Sequence, residues 1–141
     1  IRFGDPECQV LMMRIDTDLL PYLMAVATGA LGDMPAIPWS PDPAITVVLA
    51  ANGYPGAYEK GSVIKGVSEA NRMEGVQVFE AGTARTADGE RIAAGGRVLN
   101  VTASGETLHY AVDRAYAAID QIDWPQGFCR RDIAWRALRT H

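Results

Sequence analysis

A cluster of prolines constrains the fold of this chain more than any other feature. Four of them stand within the segment 32–43: Pro35, Pro38, Pro41 and Pro43. Because proline lacks a backbone N–H and fixes φ, this segment cannot form a regular helix or a central strand. We therefore interpret residues 32–44 as a linker between a short N-terminal piece, residues 1–31, and a larger unit, residues 45–141.

The N-terminal piece has the pattern of two helices. We predict the first over residues 9–14 and the second over 19–29. In the second helix Asp18 would be the N-cap, Pro21 would occupy the third helical position, and Gly29 would end the helix.

The larger unit begins as a β-sheet and ends with helices. Residues 45–51 form a continuous apolar run, which is typical of a strand buried on both faces. Shorter strand candidates, separated by glycine turns, are 63–64, 76–81, 91–93 and 97–103. Ser104 could cap a following helix, whose apolar stripe continues to Ile122 and which would end at Trp124-Pro125. Residues 133–138 could form a last helix. The fold class predicted is α+β, with a mainly antiparallel sheet.

Composition excludes several functional classes. The chain has 141 residues, 48% of them apolar, and a formal net charge of −4, so it lacks the basic field of a nucleic-acid-binding protein. No apolar stretch is long enough to span a membrane. The first residues contain neither an initiator Met nor a signal peptide, so we expect a chain cut from something longer, and Cys8 and Cys129 are expected to be free thiols in the cytoplasm.

Chemistry-bearing side chains concentrate in residues 2–7, Arg-Phe-Gly-Asp-Pro-Glu. The guanidinium of Arg2 could bind a carboxylate or a phosphate, and the carboxylates of Asp5 and Glu7 could hold a divalent metal, orient an amine or accept a proton. The alternative is an Asp-Pro turn whose charged side chains face solvent or pair locally.

Two further cations are candidates. Lys60 belongs to a Gly/Pro-rich loop, residues 53–61, that could close over an anion but lacks the P-loop spacing. Arg97 follows Gly95-Gly96 and is either the exposed arginine of a hairpin turn or a phosphate contact. His109 and His141 have no nucleophile at a recognisable spacing, so a His-based triad is rejected.

The order of these motifs resembles one family. Residues 2–9, RFGDPECQ, match the RFGDPExQ signature of the phosphoribosylamine-glycine ligases. The similarity continues at 47–56 (VVLAANGYPG), 58–64 (YEKGSVI), 78–83 (VFEAGT), 95–103 (GGRVLNVTA) and 128–138 (FCRRDIAWRAL). The resemblance implies that residues 1–31 are the last segment of an ATP-grasp domain and that 45–141 form a C-terminal domain similar to that of biotin carboxylase.

The resemblance also implies a reaction. Ligases of this family join glycine to 5-phosphoribosylamine in de novo purine biosynthesis, cleave ATP to ADP and phosphate through an acyl phosphate of glycine, and use Mg²⁺ or Mn²⁺. By similarity Arg2 would be catalytic, contacting the transferring phosphate or the glycine carboxylate, as part of a substrate-binding loop with Gly4, Asp5 and Glu7. Lys60 and Arg97 would either contact the ribose phosphate or face water.

The family's metal ligands, a Glu and an Asn, would precede Ile1, so we expect no metal ligand within this chain. The nucleotide cleft would also lie upstream, and the N-terminal part of the same enzyme is the expected partner. We therefore expect the isolated chain to be inactive. Two alternatives stay open: another ATP-grasp enzyme, such as a carboxylase of the biotin carboxylase type, or a binding module that docks through its apolar N-terminal helix and would self-associate.

Overall fold

Two antiparallel sheets organise residues 2–139, which are the residues that this computed structural model describes. The larger sheet has the order β2-β5-β1-β6, with β1 at Ala44–Ala51, β2 at Val76–Glu80, β5 at Arg97–Ser104 and β6 at Gly127–Phe128. A small second sheet pairs β3 (Thr83–Arg85) with β4 (Arg91–Ala93). The helices are α1 (Cys8–Arg14), α2 (Leu20–Thr28), α3 (Val67–Ala70), α4 (Leu108–Ile119) and α5 (Trp135–Leu138), with a 3₁₀ turn at Leu31–Asp33. The predicted mixture of helices and antiparallel strands is confirmed.

The apolar core lies on one face of the larger sheet, which we call the α4 face. Val47 of β1 lies opposite Val101 of β5, and Leu49 lies opposite Leu99. All four side chains are at most 5% exposed and belong to one cluster with the buried residues of α4. The helix contributes mainly alanines to this contact, Ala111, Ala115 and Ala118, which lets its backbone approach the strands closely.

The opposite face of the sheet, which we call the α1 face, carries polar side chains. Thr46 of β1 lies opposite Thr102 of β5, and their hydroxyl oxygens are 2.8 Å apart. Val48 lies opposite Asn100 on the same face. Helix α1 contacts both β1 and β5. The N-terminal piece therefore packs against the sheet, although the proline-rich segment separates the two in sequence.

Both N-terminal helices form where the sequence predicts them. α2 begins at Leu20, and the Asp18 carboxylate accepts a hydrogen bond from the Leu20 amide at 2.9 Å, although Leu19 is the N-cap residue. Pro21 is therefore the second helical residue and not the third. Gly29 ends the helix in the left-handed conformation, with φ +74°, as predicted.

The predicted start of α4 is wrong. Ser104 remains in β5, where its amide bonds the carbonyl of Gly75, and the cap is Thr107, whose side-chain oxygen accepts from the Tyr110 amide at 3.3 Å. The helix also ends at Ile119, before the predicted end. The chain turns after it, and the backbone of Asp123 forms an antiparallel bridge with Lys65.

The shortest elements differ most from the sequence prediction. Helix α3 and strands β3 and β6 are not predicted, and the predicted strand 63–64 is only an isolated bridge from Val63 to Ile92. α5 lies within the predicted 133–138. Within residues 2–139 no helix has the length and apolar character needed to cross a membrane.

Candidate functional site

The N-terminal loop, residues 2–7, folds back onto the start of α1. The carbonyl of Gly4 accepts from the amides of Glu7 at 3.2 Å and Cys8 at 2.9 Å, and the Asp5–Pro6 peptide bond is cis. A Cβ atom on Gly4 would collide with the Glu7 side chain. Glycine at this position therefore lets the loop turn tightly enough to bring Asp5 towards the sheet.

Asp5 is the most highly connected side chain of the loop. Arg97, at the start of β5, contacts the Asp5 carboxylate at 3.1 Å and donates to the Asp5 carbonyl at 3.0 Å. Gln9 donates to the other carboxylate oxygen at 3.1 Å. The Asp5 and Arg97 side chains are 36% and 40% exposed, so the pair is open to solvent and to a ligand. Two predicted site residues that are 92 positions apart in sequence thus meet.

Arg2 and Glu7 lie outside this contact. Both residues are exposed, and the Arg2 guanidinium donates to the neighbouring Phe3 carbonyl at 3.2 Å. That local bond agrees with the alternative of a locally paired loop. It is also weak enough, on an exposed side chain, to be exchanged for a bidentate contact with a ligand anion.

A cleft of about 490 Å³ opens beside Arg97, and we call it the Arg97 cleft. Pro6 of the N-terminal loop and four β1 residues, including Val48 and Ala50, line it. The remaining wall comes from the turn after β1 and from the segment after β6: Tyr54, Pro55, Phe128, Cys129, Arg130 and Ile133. The cleft therefore combines an apolar interior with two arginines. Arg130 is already paired with Asp132, at 2.6 Å.

Lys60 lies in a different cleft, of about 520 Å³, with Asn52, Ser62 and Gln126 among its lining residues. The Ser62 hydroxyl accepts from the Trp124 indole N–H at 2.8 Å. Lys60 and Arg97 thus line different cavities, and a single small anion in the Arg97 cleft would not be held by both.

Both cysteines are free thiols, as predicted. Cys129 lines the Arg97 cleft, and burial raises its pKa above the ordinary thiol value, although the nearby Arg131 opposes this shift. The thiol is therefore protonated at neutral pH and is a poor nucleophile.

The described part of the chain, residues 2–139, contains no cluster of three or more His, Cys, Asp or Glu side chains that could hold a metal ion. The carboxylate of Asp5 is already engaged by Arg97 and Gln9. His109 is exposed on α4, and His141 lies outside the described residues. The residues present do not, by themselves, fit a metal centre.

Gln9 is a residue of the site that is not predicted from the sequence. Its spacing of four positions from Asp5, at the start of a predicted helix, is the spacing at which side chains meet on one helical face, so a signal was present. The aromatic and apolar walls of the Arg97 cleft gave no comparable signal, because Tyr54 and Phe128 come together only in the folded chain.

This chain is similar to known proteins over nearly its whole length. The family model for the phosphoribosylglycinamide synthetase C domain matches residues 44–136. A chloroplastic phosphoribosylamine--glycine ligase of Arabidopsis thaliana is 56% identical over 140 residues, which are 99% of this chain and 26% of that protein. A phosphoribosylamine--glycine ligase of Mesorhizobium japonicum is 61% identical over 137 residues, which are 97% of this chain and 32% of that protein.

A solved structure agrees with the sequence matches. The crystal structure of phosphoribosylamine--glycine ligase from Thermotoga maritima is similar with a TM-score of 0.71 and 35% sequence identity. The similarity covers 94% of this chain and 31% of that one. The chain therefore spans about a third or less of the length of the relatives that it matches.

Proposed function

This chain belongs to the phosphoribosylglycinamide synthetase C-domain family, and we propose that it forms the C-terminal part of a ligase that joins glycine to 5-phosphoribosylamine. The reaction would consume ATP, release ADP and phosphate, and give glycinamide ribonucleotide for purine biosynthesis. Relatives that bear the ligase name cover nearly the whole of this chain. The observation that carries the proposal is the contact of Arg97 with Asp5, because it joins the N-terminal loop to the family's C domain.

We propose the same division of the chain that the prolines predict. Residues 1–31 would be the end of an ATP-grasp domain, 32–44 the linker, and 45–141 a domain similar to the C-terminal domain of biotin carboxylase. The start of the family match at residue 44 supports this division. The exposed apolar side chains of α2, such as Met24 and Val26, support it too, because a helix that is apolar all round normally packs against further protein.

Within the loop we assign roles by the chemistry of each group. Arg2 would bind the transferring phosphate or the glycine carboxylate, since its exposed guanidinium can make two parallel hydrogen bonds to such an anion. Gly4 would shape the loop, and Asp5 and Glu7 would orient the amine of a substrate. Arg97 would hold Asp5 in place, and donors of its guanidinium that Asp5 does not use would remain for the ribose phosphate.

The Arg97 cleft would shield the reaction from solvent. An acyl phosphate is destroyed by water, so the wall beside it should be apolar. Ala50, Pro55 and Phe128 supply such a wall next to Arg97. Lys60, in its separate cleft, would contact a different part of a substrate or face water.

ATP and the divalent metal, Mg²⁺ or Mn²⁺, would be held by the part of the enzyme that this chain does not span, which is also its proposed partner. The metal, when bound, would stabilise negative charge on the phosphates. We propose a cytoplasmic location for an enzyme of this kind, although the Arabidopsis thaliana relative is named as chloroplastic.

A chimera tests the proposal. This chain would replace the aligned 137-residue segment of the Mesorhizobium japonicum ligase, and ADP release would be measured with glycine and phosphoribosylamine, with each alone, and with bicarbonate instead. We expect turnover only when both ligase substrates are present, and none from the isolated chain. A folded chimera that is silent, or one that responds to bicarbonate, would overturn the proposal.

Two substitutions in the chimera test the site itself. We expect Asp5→Asn and Arg97→Gln each to lower kcat/KM by about 10- to 100-fold, the range for losing a hydrogen bond to a charged group. Arg85→Gln is the matched control, since Arg85 is an exposed arginine of β3 whose guanidinium donates to the nearby Gly89 carbonyl. Equal effects of Arg97→Gln and Arg85→Gln would contradict the assignment.

A further inference from the structure

Two amide side chains at the contact of α1 with the sheet have unusual surroundings. Asn100 is 1% exposed, yet neither its Nδ2 nor its Oδ1 atom has a hydrogen-bond partner among the described residues. The Oε1 atom of Gln9 is likewise buried without a partner. Since buried polar side-chain atoms are nearly always hydrogen-bonded in folded proteins, this pair of groups requires an explanation.

Helix α1, which carries Gln9, contacts the strand that carries Asn100. Its beginning lies at the start of β5, where Asp5 contacts Arg97. Its last residue, Arg14, exchanges hydrogen bonds with Ser40, four residues before Ala44, which pairs with the final residue of β5. The helix therefore runs along β5 in the same direction as the strand.

The spacing along both elements agrees with this placement. Gln9 is the second residue of α1, and its side-chain amide reaches back to the Asp5 carboxylate. Asn100 follows Arg97 by three residues, and a register shift opposite Leu49 and Ala50 leaves one extra β5 residue between them, so the two residues can share a face although regular strand residues three apart would not. In register Asn100 lies between Val48 of β1 and Phe79 of β2, on the α1 face of the sheet and not on the apolar α4 face.

We propose that Asn100 is a positioning residue for Asp5, because its Nδ2 amide is linked to Gln9 Oε1 through one buried water. That link fixes the Gln9 carboxamide in the orientation in which its Nε2 donates to Asp5. Asp5 is then held from two sides, by Arg97 directly and by Asn100 through Gln9. A single internal water with two or more polar partners is a common element of such networks.

This inference does not depend on the ligase reaction, because it concerns only how the chain holds its own loop. Thr102 provides an internal comparison. It is buried, polar and on the same face, but its hydroxyl already pairs with Thr46 at 2.8 Å. The threonines therefore have no need of a partner on α1, whereas Asn100 does.

The test is nuclear magnetic resonance of the ¹⁵N-labelled 141-residue chain, with the side-chain amide of Gln9 as the readout. In Asn100→Leu, which keeps the size and removes the polar atoms, we expect the Gln9 amide protons to exchange with solvent about five- to tenfold faster and their resonances to move towards those of a free carboxamide. In the control, Thr102→Val, they should not change.

A second variant covers the case in which Asn100→Leu fails to fold. Gln9→Met removes the acceptor while keeping the length of the side chain, and we expect it to shift the Asn100 side-chain amide resonances more than Thr102→Val does. The proposal is overturned if the Gln9 amide is unchanged in a folded Asn100→Leu chain, if Thr102→Val changes it equally, or if Gln9→Met leaves the Asn100 amide unmoved.

Discussion

Gly96 lies beneath two aromatic rings and thereby shapes one wall of the Arg97 cleft. A Cβ atom on this residue would collide with the Tyr54 ring and lie 3.1 Å from the Tyr58 ring. The two rings are tilted against each other, with centroids 6.2 Å apart. The Gly-Tyr-Pro-Gly turn and the Gly-Gly-Arg turn, which the sequence shows as separate motifs, therefore depend on each other for packing.

We expect Gly96→Ala to displace Tyr54 and to lower the free energy of unfolding by about 1–3 kcal/mol, the usual cost of overpacking. Gly32→Ala is the control, since nothing lies within 4 Å of a Cβ atom there. Urea denaturation of both variants measures the difference. The cost of Gly96→Ala should shrink in a Tyr54→Ala background, and equal stability of the two glycine variants would contradict this packing.

For single residues, the sequence predicts which side chains belong to the site but not which of them contact each other. Charged groups and motifs identify both the N-terminal loop and Arg97 as candidates. Their ion pair could not be predicted, because nothing in a single sequence relates positions 5 and 97, and because α1 could have packed on either face of the sheet.

At the scale of elements, an ion pair links the two sheets. Glu80 ends β2 of the larger sheet and Arg91 begins β4 of the smaller one, and their side chains are 2.7 Å apart. The Thr83 hydroxyl of β3 also donates to Glu80, at 2.9 Å. The hydrogen bond from Arg91 is the main reason that the pKa of Glu80 lies below the ordinary value of 4.5, with burial opposing it and Thr83 adding to it.

The lowered pKa predicts how stability depends on pH. As pH falls, Glu80 of the unfolded chain takes up a proton near pH 4.5, whereas Glu80 of the folded chain does so only at a lower pH. The contribution of the ion pair to the free energy of unfolding is therefore complete above pH 4.5 and is lost as pH falls through the folded-state pKa. We expect Glu80→Gln to lower the free energy of unfolding at pH 6. Between pH 5 and 3 the free energy of unfolding of this variant should fall by less than that of the unaltered chain. Unfolding in urea at each pH checks this.

Glu106→Gln is the control for this prediction, because Glu106 is an exposed residue between β5 and α4. It should leave the pH dependence of stability as it is. If Glu80→Gln and Glu106→Gln give the same acid profile, the ion pair does not contribute to stability.

The elements that the sequence predicts well are those with a strong repeating pattern. The apolar run of β1 and the three- and four-residue spacing in α4 fix the existence of both elements. The cap of α4 is not predicted because Ser104 is, in isolation, at least as good a capping residue as Thr107, and only the pairing of Ser104 with Ala44 keeps it in the strand. Strands of two or three residues, such as β3 and β6, carry too few positions to show any period.

Considering the molecule as a whole, α2 carries more exposed large apolar side chains than any other helix or strand of residues 2–139. Among its nine residues only Tyr22 and Ala25 are buried, whereas Leu20, Met24 and Val26 are each about 60% exposed. The sequence predicted a broad apolar face here but could not say what covers it. Large exposed apolar patches are typical of surfaces that pack against another protein, which agrees with a chain that spans about a third of its relatives.

We therefore expect the isolated chain to self-associate through α2, because no other protein covers that face. Sedimentation velocity over a range of concentrations should show this, and Leu23→Lys combined with Val26→Lys should shift the chain to the monomer while changing the free energy of unfolding by no more than about 0.5 kcal/mol, as for other surface substitutions. Tyr110→Lys, which removes a 58% exposed aromatic side chain from α4, should leave association unchanged.

In the chimera the same double substitution should instead reduce stability, because the rest of the ligase would cover α2 there. A wild-type chain that stays monomeric at every concentration, or a double variant that is harmless in the chimera, would show that this face has no partner.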